Sequence, residues 1–163
     1  MAELRITAKG VSELQRAFSN APALVESEMR ATMNVSVGQI ERVVVDNTPV
    51  GATGLARGSM TTDVSGSGIN LTGRVFSRDE PIKIASLETG RAPGKMPPMA
   101  PIELWVKRKF GGDRSAAFLV ARAIGRRGTK GAHMFERAFD SESPRIKSLW
   151  ERRIAAIVKR AFR

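Results

Sequence analysis

The sequence predicts an α+β fold, in which a long N-terminal helix packs on a small antiparallel sheet and is followed by a helical C-terminal part. Two β-like runs separated by SGSG lie within residues 60–77, and residues 102–163 return to helical periodicity. Before them, apolar side chains recur at steps of three or four, the repeat of one helical face. These are Val25, Met29, Met33, Val37, Ile40 and Val44.

The first elements follow from local signals. Residues 3–7 alternate apolar and polar side chains and predict a short strand. Residues 12–19 open with the spacing of a capping box and predict a short helix. Pro22 suits the first position of the long helix. That helix is predicted to end near Thr48, because Pro49 disfavours the α conformation of the residue before it.

Residues 47–59, NTPVGATGLARGS, separate the long helix from the predicted hairpin. Three glycines give this stretch backbone freedom, and Thr53 or a neighbour is expected to cap one short helical turn. The hairpin is then predicted as a strand over residues 60–64, a turn over 65–68 and a returning strand over 69–77.

The middle of the chain is rich in proline. Apolar residues within 82–87 predict another short strand or a turn of helix. Residues 90–101, GRAPGKMPPMAP, hold four of the eight prolines and are predicted to lack regular structure. A loop this rich in proline is stiff, which suits a segment that reaches across to a neighbour.

The C-terminal part is predicted to be a series of helices. Residues 102–110 end at a Gly pair, and Asp113 is expected to cap a helix over 114–127. The apolar residues of this helix are expected to cover one broad side, and they are Ala117, Phe118, Val120, Ala121 and Ile124. A break at residues 128–131 and a helical turn or two over 132–139 follow. The Ser-Pro pair at 143 and 144 is expected to open the last helix, over residues 145–162. The chain is thus predicted as a single domain in three consecutive parts: 1–90, 91–101 and 102–163.

Positive charge is concentrated in the second half. Residues 1–90 hold 9 Lys and Arg against 10 Asp and Glu, a net of −1, whereas residues 91–163 hold 18 against 6, a net of +12. Such an excess favours an anionic partner, namely nucleic acid, an acidic protein surface or a membrane face; the alternative is a solvated helical surface. The candidate contacts are Arg126, Arg127, Lys130, Arg145, Lys147, Arg152, Arg153, Lys159, Arg160 and Arg163.

Residue types argue against an enzyme. The chain has no cysteine and a single histidine, His133, and it carries no nucleophile motif or paired carboxylates. Residues 125–131, GRRGTKG, are the nearest approach to an anion-holding segment, with a flexible interhelical loop as the alternative. No catalytic, cofactor-binding or metal-binding residue is therefore predicted. Trp105 and Trp150 are expected to be core or interface anchors, since the aromatic residues are not interleaved with basic ones as on a stacking platform.

Neither export nor a membrane location is expected. The N-terminus has no apolar run resembling a signal peptide, and no stretch approaches the ~20 apolar residues that span a bilayer.

Three sequence elements resemble the tail-completion, or head-to-tail joining, proteins of long-tailed bacteriophages, often labelled minor tail components. The first is a proline followed by a Thr-Gly-x-Leu-Arg-x-Ser pattern, with Ala56 here in the usual Leu place. It comprises Pro49, Thr53, Gly54, Leu55, Arg57 and Ser59. The second is the run IASLETG at residues 84–90, which includes Glu88 and Gly90.

The third element covers residues 97–135. It places a Pro-Pro pair before WVKRK, an Ala-rich helix, RGTKG and a Met-Phe pair, in that order. The resemblance spans about residues 20–140, and the closing helix matches only in general character.

This resemblance implies a non-enzymatic virion protein of the neck or tail end, assembled in the host cytoplasm. It implies a homo-oligomeric ring around the DNA path, with the tail terminator or tail tube and the head connector as partners, and DNA phosphates as a further one. Subunit contacts are then expected at Pro93, Met96, Pro97, Pro98, Met99 and Trp105. An ion pair between Arg57 and Glu88 is a further hypothesis. The alternative function is sequence-independent DNA binding.

Overall fold

The computed structural model describes residues 2–4, 12, 15, 19, 22–78 and 81–161, and it has the predicted α+β architecture. Ser12, Gln15 and Ser19 are helical, and the rest of that predicted helix lies outside the described residues. The strands are β1 (Ala2–Leu4), β2 (Met60–Ser67), β3 (Asn70–Ser77), β4 (Gly90–Arg91) and β5 (Thr129–Lys130). The helices are α1 (Pro22–Asn47), α2 (Leu55–Gly58), α3 (Pro81–Thr89), α4 (Met99–Phe110), α5 (Arg114–Arg127) and α6 (Met134–Ala161).

The chain forms two compact units. The sheet unit comprises Met1–Val44, Thr61–Phe76 and Phe135–Arg163, and the joint unit comprises Val45–Met60 and Ser77–Met134. Each unit therefore combines segments that are distant in sequence. The prediction of a single domain stays a prediction.

The sheet unit is built around α1. The helix begins at Pro22 and ends at Asn47, as predicted, and all six apolar residues of its predicted face are buried. The strands are ordered β1-β3-β2, and β1 runs antiparallel to β3 with Ala2 opposite Val75. Residues 5–7 of the predicted first strand lie outside the described residues.

Gly73 allows β3 to lie close to α1. A Cβ at this position would stand 2.8 Å from the Met33 sulfur and closer still to Val37 Cγ1. Gly73 and Val75 are both buried, so the inward face of β3 alternates as a strand should. The predicted packing of the helix on the sheet is thus achieved by a residue with no side chain.

The hairpin turn lies further along the chain than residues 65–68, where it is predicted. β2 continues to Ser67, and the turn consists of Gly68 and Ile69. Gly66 lies within β2 at φ +93°, where a side chain would collide with the Asn70 carbonyl. The Arg30 side chain supports this end of the hairpin, since its Nη2 donates to the Gly66 carbonyl at 2.7 Å. A Ser-Gly run that suggests a loop is therefore extended strand held by a distant arginine.

The proline-rich segment is shorter than predicted. Gly90 and Arg91 pair with Lys130 and Thr129 in an antiparallel ladder, so its first two residues are a strand. Its last three residues belong to α4, where Pro101 is tolerated because first-turn N–H groups have no helical acceptor. Before the ladder, α3 adopts the helical alternative of the two predicted for this stretch.

The joint unit confirms two helix boundaries. α4 ends at Gly111, which has a left-handed φ of 62° and donates its N–H to the Lys107 carbonyl at 3.0 Å. Asp113 caps α5, and its Oδ1 accepts a hydrogen bond from the Ala116 N–H at 3.1 Å. Both signals are local, which explains why the sequence predicts them correctly.

The last helix does not begin at Ser143 and Pro144, as predicted. Pro144 lies inside the continuous helix α6. Ser143 Oγ donates to the Phe139 carbonyl at 2.6 Å in the turn that precedes it. The buried residues Ala138, Glu142, Ile146, Trp150 and Ile154 repeat every four positions across the proline. A buried row that continues through Pro144 favours one helix over two.

Candidate interaction surfaces

The first motif of the sequence forms a closed joint. Gly54 precedes α2 with a left-handed φ of 69°, which a residue with a side chain rarely adopts. The Arg57 side chain then turns back to the end of α1. Its Nε donates to the Thr48 carbonyl at 2.7 Å, and its Nη2 donates to the Asp46 carbonyl at 3.3 Å.

These two bonds satisfy carbonyl groups at the helix terminus that lack an intrahelical partner. Arg57 therefore fixes the exit of the chain from α1. Its guanidinium donates to these two carbonyls, and the ion pair with Glu88 stays a prediction.

The remaining polar atoms of the motif also hold the backbone. Ser59 Oγ lies 2.6 Å from Ser77 Oγ, and the Ser59 carbonyl accepts from the Arg78 N–H at 2.9 Å. Thr53 Oγ1 accepts from the Leu55 N–H at 3.4 Å. The Arg108 side chain donates to the Ala52 carbonyl. The residues of this motif, Pro49 to Ser59, thus act as a structural scaffold.

The second and third motifs meet at the β4–β5 ladder. His133 N–H donates to the Glu88 carbonyl at 3.1 Å, and Ala132 N–H donates to the Leu87 carbonyl at 2.7 Å. Gly90, at φ +84°, passes so close to the backbone of Lys130 and Gly131 that no side chain fits. The interaction brings IASLETG and RGTKG together, which sequence spacing alone does not reveal.

The same ladder corrects the interpretation of residues 125–131. The sequence suggested an anion-holding segment with exposed amides, or a flexible loop. Instead, Thr129 and Lys130 form a strand, and Gly128 N–H donates to the Ile124 carbonyl at 2.8 Å. The side chains of Arg126, Arg127 and Lys130 remain exposed and are available to an anionic partner.

The proline loop is held against α5. Gly94 N–H donates to the Gly125 carbonyl at 2.8 Å, and a Cβ at Gly125 would stand 3.1 Å from Met96 Cγ. Of the predicted subunit contacts, Pro93, Met96 and Pro98 are exposed, whereas Pro97, Met99 and Trp105 are half-buried.

Trp150 and Trp105 differ in their surroundings. Trp150 is buried and donates from Nε1 to Ser36 Oγ at 3.0 Å, which confirms its role in the core. Trp105 forms an edge-to-face pair with the exposed ring of Phe110, with the centroids 5.3 Å apart. Lys109 Nζ lies 5.3 Å and 5.8 Å from the two centroids. One basic side chain thus lies near two aromatic rings here, and the absence of a stacking platform stays a prediction.

An open apolar groove lies on α4 and α5, and we call it the α5 groove. It has a volume of about 520 Å³ and is lined by Met99, Arg114, Ser115, Phe118 and Leu119. Phe118 is 48% exposed and Leu119 62% exposed. Phe118 was predicted to lie on the packed side of its helix, but Ala117, Ala121 and Gly125 take that side.

The basic residues of α6 lie on its solvent side. Arg145, Arg152 and Lys159 are exposed and recur every seven positions, which places them on one line along the helix about 10 Å apart. We call them the α6 row. Lys147 and Arg153 are exposed as well. Arg145 pairs with Glu142 and Arg160 with Glu28, each at 2.9 Å, and Arg163 lies outside the described residues.

The described residues hold neither a metal-binding cluster nor a membrane-spanning helix. In residues 22–78 and 81–161, no three His, Asp or Glu side chains gather as a metal site requires. None of the described helices is both long and apolar enough to cross a bilayer. His133 is exposed and takes a positive φ of 49° at the start of α6.

Comparisons of the chain with models of protein families, with curated proteins and with solved structures found no match.

Proposed function

We propose that this chain is a structural protein of a tailed virus, which completes the tail and joins it to the head connector as an oligomeric ring around the DNA path. The observation that carries this proposal is the α5 groove, where Phe118 and Leu119 are displayed to solvent beside the buried small residues Ala117, Ala121 and Gly125. Exposed contiguous apolar side chains rimmed by polar groups are typical of protein interaction sites.

The residues of the first motif, Pro49 to Ser59, support a role in contacts between subunits. Arg57, Ser59 and Gly54 hold backbone in place, and their polar atoms are used within the joint unit. A joint of this kind sets the course of the chain and presents the exposed side chains of Val50 and Leu55 on its surface. Such an arrangement suits assembly, in which a rigid subunit offers fixed patches to its neighbours.

A ring adds a geometric requirement. Each subunit must offer two different patches, so that one copy contacts the next in a repeating, head-to-tail manner. The exposed proline loop, with Pro93, Met96 and Pro98, is one candidate patch, and the joint surface around Leu55 is another.

Complementation of phage tails tests this function. Tails assembled without the protein should fail to attach to filled heads, and adding back the purified chain should restore attachment and a ring visible by negative stain. Tails that join heads equally well without the protein would exclude the proposal.

A pair of matched variants tests the role of the groove. Leu119→Asp places a charge in the α5 groove, whereas Val35→Asp places the same charge on an exposed apolar position of α1. We expect the first variant to restore attachment poorly and the second to restore it as the wild-type chain does. Both variants should show the same far-UV circular dichroism, because each changed side chain is largely exposed.

Sequence-independent DNA binding is the second candidate function, and the α6 row favours it. Three exposed cations in line along one helix suit contacts to a phosphate backbone, and such binding weakens steeply with salt. Filter binding across a salt titration should reveal it. Binding that is absent, or that does not respond to salt, would remove this candidate.

A further inference from the structure

The α5 groove has a defined pattern of charge around its apolar centre. Arg114, Phe118, Arg122 and Arg126 follow one another at intervals of four residues, which places them in one row with steps of about 6 Å along the helix. Leu119 lies beside Phe118. The four side chains of the row are exposed, so an apolar centre is flanked by cations before and after it.

No negative charge within the helix offsets this row. α5 contains no Asp or Glu, and the nearest acid in sequence, Asp113, is engaged as its N-cap. Arg114 forms an ion pair with Glu103 at 3.2 Å, which leaves the stretch from Phe118 to Arg126 purely apolar and basic. A partner that fits it must supply apolar side chains with carboxylates at their margins.

We propose that the α5 groove docks an amphipathic helix of another protein, in which an apolar stripe is flanked by acidic residues. An apolar helical stripe laid into a hydrophobic groove is a recurrent mode of recognition. The carboxylates of that helix would meet Arg122 and Arg126, while its apolar stripe would cover Phe118 and Leu119. Under the proposed function, on which this inference rests, the helix belongs to a neighbouring protein of the tail or the head connector.

The chain's own described helices do not offer such a stripe. Their large exposed apolar side chains at helix positions include Leu24, Val35, Ile82 and Leu104. Within one turn of these side chains on the same helix there are three acids, and each already forms an ion pair with an arginine of the same chain. The pairs are Glu26–Arg30, Glu28–Arg160 and Glu103–Arg114. A second copy docked through one of these helices would therefore lack the carboxylates that the arginines require, and the occupant is assigned to a different protein.

The apolar centre separates this surface from a phosphate-binding one. Burying Phe118 and Leu119 is favourable against apolar side chains but contributes little against a sugar-phosphate backbone. The α6 row, in contrast, offers cations with no large exposed apolar side chain between them.

A designed peptide tests the proposal directly. The probe is an 18-residue fluorescent peptide with Leu at i, i+3, i+4 and i+7 of each repeat and Glu elsewhere, and binding to the full chain is followed by fluorescence polarisation. We expect Leu119→Asp, and separately Arg122→Glu with Arg126→Glu, to weaken binding by about tenfold or more.

A control variant carries the same change in net charge at a different surface. Arg152→Glu with Arg153→Glu lowers the net charge by the same amount on α6, and it should change the affinity by less than about twofold. The same peptide with Gln in place of Glu should bind more weakly than the acidic peptide. Equal effects of the two double variants, or equal affinity of the Gln peptide, would overturn the proposal. So would duplex DNA or anionic vesicles whose binding depends on Leu119.

The peptide measurement tests the groove assignment, and the tail complementation tests the proposed function, so either can fail without the other. If the acidic peptide binds in the groove but tails join heads without the protein, the groove assignment stands and the proposed function falls. If the protein is needed for joining but the peptide does not bind, or binds without regard to Leu119, the groove assignment falls and the proposed function stands.

Discussion

Gly73 of β3 and Gly38 of α1 are two glycines of the same unit with opposite surroundings. A methyl group at Gly73 would collide with Val37 and Met33, whereas one at Gly38 would meet nothing within 4 Å. We expect Gly73→Ala to lower the free energy of unfolding by about 1–3 kcal/mol, because an overpacked core must shift backbone or side chains. Gly38→Ala should raise it by roughly 0.5–1 kcal/mol, since Ala is the better helix former.

Urea denaturation followed by circular dichroism measures both changes. An equal loss of stability in the two variants would show that Gly73 does not mark a close approach of the sheet to α1.

Single residues differ in how well the sequence predicts their roles. Asp113 and Gly111 are recognised because each acts on the backbone within four residues of itself. The exposure of Phe118 is not predicted, since an aromatic residue next to Ala117 and Ala121 has the spacing of a packed face. On the packed side, Gly125 lies where the proline loop comes close, and only the fold reveals that approach.

Among the elements, the joint of residues 47–59 is tied to the end of α1 by the Arg57 side chain. The Arg57 guanidinium bridges the carbonyls of Thr48 and Asp46, and a lysine has no planar fork with which to reach both. We expect Arg57→Lys to destabilise the chain by about 1–2 kcal/mol, within the range for hydrogen bonds from charged donors. Amide hydrogen exchange should speed up in α2 and at the end of α1.

Arg78→Lys is the matched control for that change, because the Arg78 side chain is exposed. Its exchange pattern should equal that of the wild-type chain. Unchanged exchange in Arg57→Lys would refute the role given to the arginine.

Helix α6 contains Pro144, which the sequence predicts to lie at the start of a helix. Pro144 has no N–H for the Asp140 carbonyl, so the helix lacks one hydrogen bond at that turn. We expect Pro144→Ala to raise the melting temperature, with a gain of at most about 3 kcal/mol, the cost of proline in a helix interior. A lower melting temperature would indicate that the packing of α6 requires the bend that a proline imposes.

The elements that the sequence predicts are those with local causes. Helix α1, its end before Pro49 and the caps of α4 and α5 follow from periodicity and short-range signals. The β4–β5 ladder joins residues almost forty positions apart, and each strand has only two residues, too few to show a pattern. The continuity of α6 is decided by a buried row against other elements, which overrides the local Ser-Pro signal.

At the scale of the whole molecule, positive charge is present in both units. The sheet unit carries 14 Lys and Arg against 10 Asp and Glu, and the joint unit carries 13 against 6. The sequence places the excess correctly in residues 91–163, but it does not show that the fold divides these residues between two units. The basic surfaces of α5 and α6 are thus separate features with different surroundings, one apolar and one purely charged.

Because the basic surfaces of α5 and α6 differ, we expect them to contribute differently to the salt dependence of DNA binding. The slope of log affinity against log salt concentration is negative, and each phosphate contact adds about 0.9 to its magnitude. Replacing three contacting cations should therefore lower the magnitude of the slope by roughly 2.7. We expect Arg145→Gln, Arg152→Gln and Lys159→Gln together to lower the slope by nearly that amount, because the α6 row presents its cations in line. The matched triple change Arg122→Gln, Arg126→Gln and Arg127→Gln on α5 should lower it much less, since these three cations do not lie on one line: Arg127 is about 100° around the helix from Arg126. Equal reductions would mean that duplex DNA responds to net charge alone and that neither helix is a specific phosphate-binding surface.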